Sequence, residues 1–138
     1  MQTDSAASVP LTPAIVFENL NAFHRTFALK AAIDLDVFRA VGQGPGDIVS
    51  IARHAKASER GIRILCDFLV INGLLQKVDG KYQHTPSSAA FLDPTSPHCL
   101  ASIVGFLSLP TLREPFEHLA DIVRNGQDSV ARRGHGGT

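Results

Sequence analysis

Residues 47–86 read DIVSIARHAKASERGIRILCDFLVINGLLQKVDGKYQHTP, and this stretch carries two helix signals followed by a hairpin signal. Asp47 is a helix-capping residue, and apolar residues then recur at positions 48, 51, 52 and 55, the spacing of one helical face. Ser58 is a second cap, and the apolar run behind it continues through Leu74, with Gly73 as the helix-ending residue. Asp79-Gly80 is typical of a type I′ turn between strands 75–78 and 81–85. The order helix, helix, hairpin predicts a winged helix.

The second of these helices decides between two classes of winged helix. Its polar residues Arg60, Arg63 and Asp67 form one narrow line, whereas a helix that reads DNA needs a wide polar face. If this helix bound DNA, Asp67 would lie against the phosphates, where its charge is unfavourable. We therefore expect Asp67 to pair with Arg60 or Arg63 instead. A helix that is apolar over most of its circumference is expected to be buried on more than one side. The pattern favours a structural or dimer-forming winged helix over the alternative, a DNA-binding transcription regulator.

Length and composition predict one soluble globular domain. The chain has 138 residues, 44% of them hydrophobic, and 13 basic side chains balance 13 acidic ones. Net charge therefore provides no general attraction to nucleic acid or to anionic lipid. The two cysteines, Cys66 and Cys99, do not have the number or spacing of a disulfide framework. No apolar run approaches membrane-spanning length, so we expect no membrane partner and a cytoplasmic location.

The region before residue 47 predicts helices that lie outside the winged helix. Residues 1–12 have the composition of a disordered tail, and Thr12-Pro13 is a helix start. The helix predicted over 13–33 places Val16, Leu20, Phe23 and Phe27 on one face, and a second helix is predicted from Asp34 to the glycines. These aromatic residues need burial that the winged helix does not offer, and a partner chain is one candidate.

The region after the hairpin predicts two further helices. Ser96-Pro97 is read as the start of one, and Pro110 must break it. Thr111 and Glu114 have capping-box spacing for the next helix, which carries Phe116 and ends at Asn125-Gly126. Residues 127–138 read as a linker or tail. The predicted fold is mainly α: a winged helix-turn-helix with a small β-hairpin wing plus N- and C-terminal dimerisation helices, over residues 13–126.

Motifs for catalysis or for cofactor binding are weak. Gly42, Gly44 and Gly46 form GxGxG, but the preceding residues have alanine-rich helical periodicity and Pro45 stiffens the loop, so a helix end and a turn are favoured over a nucleotide loop. His98 beside Cys99 is the nearest approach to a metal motif, and adjacent loop residues seldom bind one metal alone. The residues predict no catalytic, cofactor-binding or metal site in this chain.

Several segments together resemble a known family. They are ALKAAIDLDVF at 28–38, Gly44-Pro45, Ile51-Ala52, Ile64-Leu65, Leu69, NGLL at 72–75 and YQHTP at 82–86. In this order and spacing they resemble the N-terminal dimerisation domain of small-molecule O-methyltransferases, the group that includes acetylserotonin, plant phenolic and bacterial polyketide-tailoring enzymes. The resemblance covers roughly residues 13–126. Phe116 stands where the family often has tryptophan.

The resemblance implies both a partner and an activity. The family's domain interlocks with a second copy and precedes a Rossmann-type domain, which binds S-adenosylmethionine and carries the catalytic histidine; that second domain is missing from these 138 residues. The expected function is therefore that of a non-catalytic dimerisation domain, in a homodimeric parent that methylates a hydroxyl of a small, aromatic or polyketide, molecule.

Two sets of site residues follow from these expectations. For the dimer interface the apolar pattern outside the winged helix selects Val16, Leu20, Phe23, Phe27, Phe106, Leu107 and Phe116. In the resembling family, residues near the N-terminus also reach across the dimer to line the partner's substrate pocket. The matching positions here are Phe17 and Phe23.

Overall fold

The computed structural model describes Val9 and residues 11–126. The predictions for the remainder of the N-terminal tail and for 127–138 lie outside the described residues. The described chain forms eight α-helices and one two-stranded antiparallel sheet: α1 (Ala14–Asp34), α2 (Val37–Gln43), α3 (Ile48–Ala55), α4 (Glu59–Ile71), β1 (Gln76–Val78), β2 (Lys81–Gln83), α5 (Pro86–Phe91), α6 (Ala101–Leu107), α7 (Pro110–Glu117) and α8 (Leu119–Asn125). The prediction of a mainly α fold with one small hairpin is confirmed.

Both predicted caps of the central helices are present. The Asp47 carboxylate accepts a hydrogen bond from the Ser50 backbone N–H at 3.2 Å, and the Ser58 hydroxyl accepts one from Gly61 at 3.0 Å. Each cap satisfies a backbone donor that the first helical turn leaves without a partner. α4 ends at Ile71 with Asn72 as its C-cap, and Gly73, the predicted helix-ending residue, follows with a φ of 77°.

The hairpin has the predicted turn. Asp79 and Gly80 have φ angles of 52° and 76°, the two positive values of a type I′ turn. The register pairs Lys77 with Tyr82, and β2 turns the Tyr82 side chain inward, where it is 1% exposed. The wing is therefore anchored in the core by one aromatic residue.

The core lies between the C-terminal end of α1, helices α2–α4 and the hairpin. Its buried apolar side chains are Ala32, Val37, Phe38, Ala40, Val41, Ile51, Ala52, Ile62, Cys66, Leu69, Leu75, Tyr82 and Leu92. By contrast, every residue of α1 from Ala14 to Phe27 is exposed. Helices α6, α7 and α8 contain no buried residue. The described chain thus combines a packed centre with helices that have almost no core of their own.

Three predicted helix starts are wrong. α2 begins at Val37 and not at Asp34, because Asp36 adopts a left-handed conformation with a φ of 58°. α6 begins at Ala101 and not at Ser96: the Ser96 hydroxyl accepts from the His98 N–H at 3.2 Å and donates to the Ala90 carbonyl at 2.6 Å, but the chain forms only a turn there before the helix begins. α7 begins at Pro110, after Leu109, so Thr111 is not its cap.

The predicted C-terminal helix is divided in two. α7 ends at Glu117 and α8 begins at Leu119, with His118 between them. Pro115 lies inside α7, where it has no N–H to donate and crowds the preceding turn, and the helix ends two residues later. The predicted end is confirmed, because Gly126 follows α8 with a φ of 63°. Among the described helices, none is both long enough and apolar enough to cross a bilayer.

Candidate functional site

The N-terminal part of α1 presents an apolar stripe to solvent. Val16, Leu20, Phe23 and Phe27 lie on one face of the helix, and each is more than two-fifths exposed in the single chain. An isolated helix of about this length is only marginally stable in water, so tertiary packing must provide most of its stability. Adjacent exposed apolar side chains on a folded domain are typical of interaction surfaces.

A groove lies on one side of this stripe, between α1 and the helices that follow the core. We call it the α1–α7 groove. It has a volume of about 340 Å³ and is lined by Phe23, Thr26 and Phe27 of α1 together with Leu107, Ser108, Leu112, Arg113 and Phe116. The structure thus brings together four of the residues predicted for the interface, namely Phe23, Phe27, Leu107 and Phe116. Val16 and Leu20 lie nearer the N-terminus of α1, and Phe106, also exposed, is not part of the groove lining.

A second groove lies on the other side of the stripe, between α1 and α4. This α1–α4 groove has a volume of about 360 Å³ and an almost entirely apolar lining of His24, Phe27, Ala28, Gly61, Ile64, Leu65 and Phe68. Phe27 belongs to both grooves and forms the ridge between them. Within the single chain α4 is buried on one side only, so its burial on more than one side stays a prediction. Ile62, Cys66 and Leu69 face the core, whereas Ile64 is 61% exposed.

Arg113 is the polar feature of the α1–α7 groove that sequence reasoning missed. Its guanidinium carbon lies 5.7 Å from the centre of the Phe27 ring, in cation–π geometry. Its Nε is buried and has no hydrogen-bond partner. A buried donor without an acceptor costs free energy and is rare in folded proteins. Pairing across helices α1 and α7 leaves no local signal in the sequence that would identify this residue.

Asp67 has partners other than those predicted. Its Oδ1 accepts a hydrogen bond from the Tyr82 hydroxyl at 2.5 Å and one from Lys77 Nζ at 3.1 Å, both from the hairpin. The Tyr82 bond is the main reason that the pKa of Asp67 is lowered. Burial, and then the bond to Asp67, raises the pKa of Tyr82. The prediction that Asp67 pairs with Arg60 or Arg63 was wrong, because the hairpin folds back over this part of α4.

The GxGxG segment is used for packing. Gly44 follows the last turn of α2, and Gly46 adopts a φ of 81° before the Asp47 cap. The Tyr82 N–H donates to the Gly46 carbonyl at 2.8 Å. A Cβ atom at Gly46 would lie 2.2 Å from the Tyr82 carbonyl oxygen. The preferred interpretation, a helix end followed by a turn into Asp47, is confirmed.

A buried polar cluster joins α5 to α2. One His84 ring nitrogen lies 2.8 Å from the Ser88 hydroxyl, and the other lies 2.8 Å from the Phe38 carbonyl oxygen. Asp93 Oδ2 lies 3.5 Å from His84 Nε2. Burial alone would raise the pKa of Asp93, but hydrogen bonds from Thr95 and the charge of His84 outweigh it and lower the pKa. With these groups paired to one another, the cluster fixes the position of α5.

The other candidate reactive groups have ordinary structural surroundings. Burial raises the pKa of the Cys66 thiol to about 12, so this core residue stays protonated. Within the described residues, no group of three or more His, Cys, Asp or Glu side chains could hold a metal ion. Phe17, predicted with Phe23 to line a partner's pocket, is exposed in the N-terminal part of α1.

Comparisons with known proteins place this geometry in a family. The O-methyltransferase dimerisation domain family matches residues 17–94. Human acetylserotonin O-methyltransferase is 34% identical over 115 residues, which cover 78% of this chain and 33% of the human protein. Its structure in complex with SAM matches at a TM-score of 0.77 and 30% identity, over 88% of this chain and 37% of that one.

Two bacterial proteins give the same result. A protein of Nostoc punctiforme PCC 73102 assigned as an O-methyltransferase matches at a TM-score of 0.82 and 38% identity, over 88% of this chain and 37% of that chain. The tetracenomycin polyketide synthesis 8-O-methyl transferase TcmO of Streptomyces glaucescens is 26% identical over 123 residues, covering 88% of this chain and 36% of that protein. The chain spans about a third of the length of these curated relatives. With a family match over more than half of its residues, the chain belongs to the O-methyltransferase dimerisation domain family.

Proposed function

We propose that this chain forms a homodimer and that the apolar surface around α1 is its interface. The observation that carries the proposal is the exposed part of α1, residues 14–27, which contains a four-residue apolar stripe but buries nothing in its own chain. The two grooves beside the stripe offer a second copy a surface that is apolar and concave. A two-fold interface uses the same patch on both copies, so an exposed stripe flanked by grooves is suited to it.

We further propose that the dimer supports an S-adenosylmethionine-dependent methyltransferase that acts on a hydroxyl group of a small, aromatic or polyketide, molecule. The support is the family membership and the activities named in the relatives, acetylserotonin O-methylation and tetracenomycin 8-O-methylation. The segment described here contributes the interface. In this proposal the cofactor site and the catalytic residues belong to another part of the parent protein.

The alternative, a winged-helix transcription regulator, is less well supported by the geometry. On α4 the outward side beside α1 consists of Ile64, Leu65 and Phe68, which offer no hydrogen bonds to base edges. Lys77 of the hairpin is engaged with Asp67 and is not directed to a free phosphate site. A regulator would need a basic surface in both places.

Two measurements on the purified chain test the proposal. Light scattering after size-exclusion chromatography should give about twice the chain mass of 14.8 kDa. Titration calorimetry should give no heat with S-adenosylmethionine or with duplex DNA. Micromolar cofactor binding that is lost in Gly44→Ala would instead favour a nucleotide loop, and salt-sensitive DNA binding that is lost in Arg60→Ala and Arg63→Ala would favour the regulator.

A further inference from the structure

We propose that α7 is a strap: in the single chain it exchanges between its docked position on α1 and an undocked position, and the buried Nε of Arg113 shifts this equilibrium towards undocking. The inference concerns the single chain and does not depend on the proposed homodimer. The α1–α7 groove is complete only while α7 is docked, because α7 supplies one of its walls. Undocking therefore withdraws this apolar surface, and docking restores it.

Leu109 is the joint on which α7 can turn. It adopts an extended conformation between α6 and α7, with a φ of −61° and a ψ of 140°. Its N–H donates back to the Phe106 carbonyl, whereas its carbonyl accepts from the Leu112 and Arg113 N–H groups of α7. Pro110 has no N–H that could continue α6 into α7. Among the described residues, no backbone hydrogen bond joins α7 to a residue before Leu109, so rotation about the N–Cα bond of Leu109 breaks none.

The docked position of α7 buries little apolar surface. Leu112 and Phe116 both line the groove, yet they are 38% and 74% exposed. Neither α7 nor α8, which follows it, contains a buried residue. Burial of apolar area is the main favourable contribution to tertiary packing. Only a small part of that contribution therefore holds α7 against α1.

The contact between Arg113 and Phe27 attracts α7 to α1 but also carries a cost. The guanidinium lies over a ring that is 41% exposed, where a cation–π attraction is weak. The Nε in the same group is shielded from water and has no acceptor within the described part of the chain. A buried donor without a partner costs more free energy than a weak cation–π contact supplies. Undocking moves the guanidinium away from Phe27 and lets water bond to Nε, so the balance at Arg113 favours the undocked position.

Amide hydrogen exchange of α7 reports the docking equilibrium. An isolated helix of eight residues is unstable in water, so α7 loses its backbone hydrogen bonds when it leaves α1. Its amides then exchange through this local opening, whereas amides in the core wait for global unfolding. In the wild-type single chain we expect α7 amides to exchange at least about a hundredfold faster than the slowest amides of α2 and α3.

Two substitutions move the equilibrium in opposite directions. Arg113→Met keeps a long side chain against Phe27 but removes the unpaired donor, so it should slow α7 exchange about tenfold. Phe27→Leu removes the ring beneath the guanidinium and should speed α7 exchange about threefold. Arg53→Met is the matched control, because it removes an exposed arginine from α3, and it should change α7 exchange less than about twofold. Arg113→Leu replaces Arg113→Met if circular dichroism shows that the latter does not fold.

The exchange measurements use the full chain at a concentration where sedimentation equilibrium shows a monomer. If a dimer persists, Val16→Lys is added to every variant, because Val16 is exposed and lies outside the groove lining.

Three results would overturn the proposal. One is α7 exchange as slow as that of α2 and α3 in the wild type, and another is unchanged or faster α7 exchange in Arg113→Met. The third is unchanged α7 exchange in Phe27→Leu, which would show that the helix opens without leaving α1. A chain that stays monomeric at every concentration would overturn the proposed homodimer and leave the test of the strap intact.

Discussion

The Tyr82 hydroxyl on β2 donates a 2.5 Å hydrogen bond to Asp67 Oδ1 on α4, and this contact ties the hairpin to the helix beneath it. Lys77 from β1 reaches the same oxygen at 3.1 Å and lies 5.0 Å from the centre of the Tyr82 ring. In a DNA-reading winged helix the corresponding surfaces would be open to the nucleic acid. Here they hold the domain together, in keeping with a structural role for this helix pair and hairpin.

Tyr82→Phe should lower the free energy of unfolding by about 1 kcal/mol at pH 7. The substitution keeps the buried ring and removes only the bond to the carboxylate. This value is at the low end of the free-energy range for a hydrogen bond to a charged group. The Asp67 side chain is 43% exposed, so water screens its charge. Urea unfolding measures the difference. Asp121→Asn, which breaks a surface ion pair with Arg124, is the control and should cost much less.

The stability difference between wild type and Tyr82→Phe should depend on pH in one direction. Because the folded state lowers the pKa of Asp67, chiefly through Tyr82, the ionised carboxylate stabilises the wild type at every pH above the ordinary aspartate pKa of about 3.9. This contribution is lost as the pH falls through the lowered pKa of the folded state. Unfolding curves at pH 7 and pH 3 should therefore show a larger difference at pH 7. A difference that grows on acidification would contradict the assignment.

Gly46→Ala should destabilise the chain by about 3 kcal/mol, because the residue combines a positive φ with close contact to the Tyr82 carbonyl. Gly44→Ala is the matched control. Its φ of −117° suits any residue, and a Cβ there would meet only the Ala40 carbonyl at 3.1 Å. Thermal unfolding of both variants measures the costs. Similar costs at the two positions would show that the close contact at Gly46 does not limit the fold.

Phe23→Ala and Phe116→Ala should weaken the dimer while the single chain stays folded. Both side chains line the α1–α7 groove, and Phe116 is 74% exposed in the single chain, so neither contributes much to the chain's own core. We expect at least a tenfold rise in the dimer Kd for each, corresponding to about 1.4 kcal/mol or more. Val49→Ala, an exposed apolar residue on α3, is the control. Unchanged Kd values for both groove variants would exclude the groove from the interface.

Phe17→Ala should separate a pocket role from an interface role. Phe17 is exposed and lies beside the stripe rather than within it, so we expect its removal to leave the dimer Kd nearly unchanged. In a full-length methyltransferase that contains this chain, the loss of a pocket-lining ring should raise KM or alter substrate preference. A large loss of dimer stability with normal kinetics for the remaining dimer would instead assign Phe17 to the interface.

Local signals in the sequence predicted the central part of the fold well. The Asp47 and Ser58 caps and the Asp79-Gly80 turn depend on residues within a few positions of one another, so their chemistry can be read directly. Signals of the same kind failed where a local turn did not continue into a helix. At Ser96, for example, the hydroxyl accepts from the His98 N–H as a cap would, but it also bonds to the Ala90 carbonyl, and α6 begins five residues later at Ala101.

The sequence could not predict which side chains from different helices and strands contact one another. Spacing along α4 suggested an arginine for Asp67, but the folded hairpin brings Tyr82 and Lys77 closer. Periodicity identified Phe23, Phe27, Leu107 and Phe116 as apolar residues that need to be buried. The groove that they form depends on how closely α7 approaches α1 in the folded chain, which periodicity does not show. Arg113 has no distinguishing local pattern in the sequence. It stacks on Phe27 only because the fold brings α7 close to α1.

Hydrogen–deuterium exchange at two protein concentrations tests most directly the claim that α1 is buried by a second copy. Sedimentation equilibrium first sets one concentration well above the dimer Kd and one well below it. We expect amides of residues 14–27 and of α7 to gain protection at the higher concentration, because only the dimer covers them, while amides of α2 and α3 in the core stay equally protected at both. Equal protection of residues 14–27 at the two concentrations, although the mass is that of a dimer at one and of a monomer at the other, would contradict the claim.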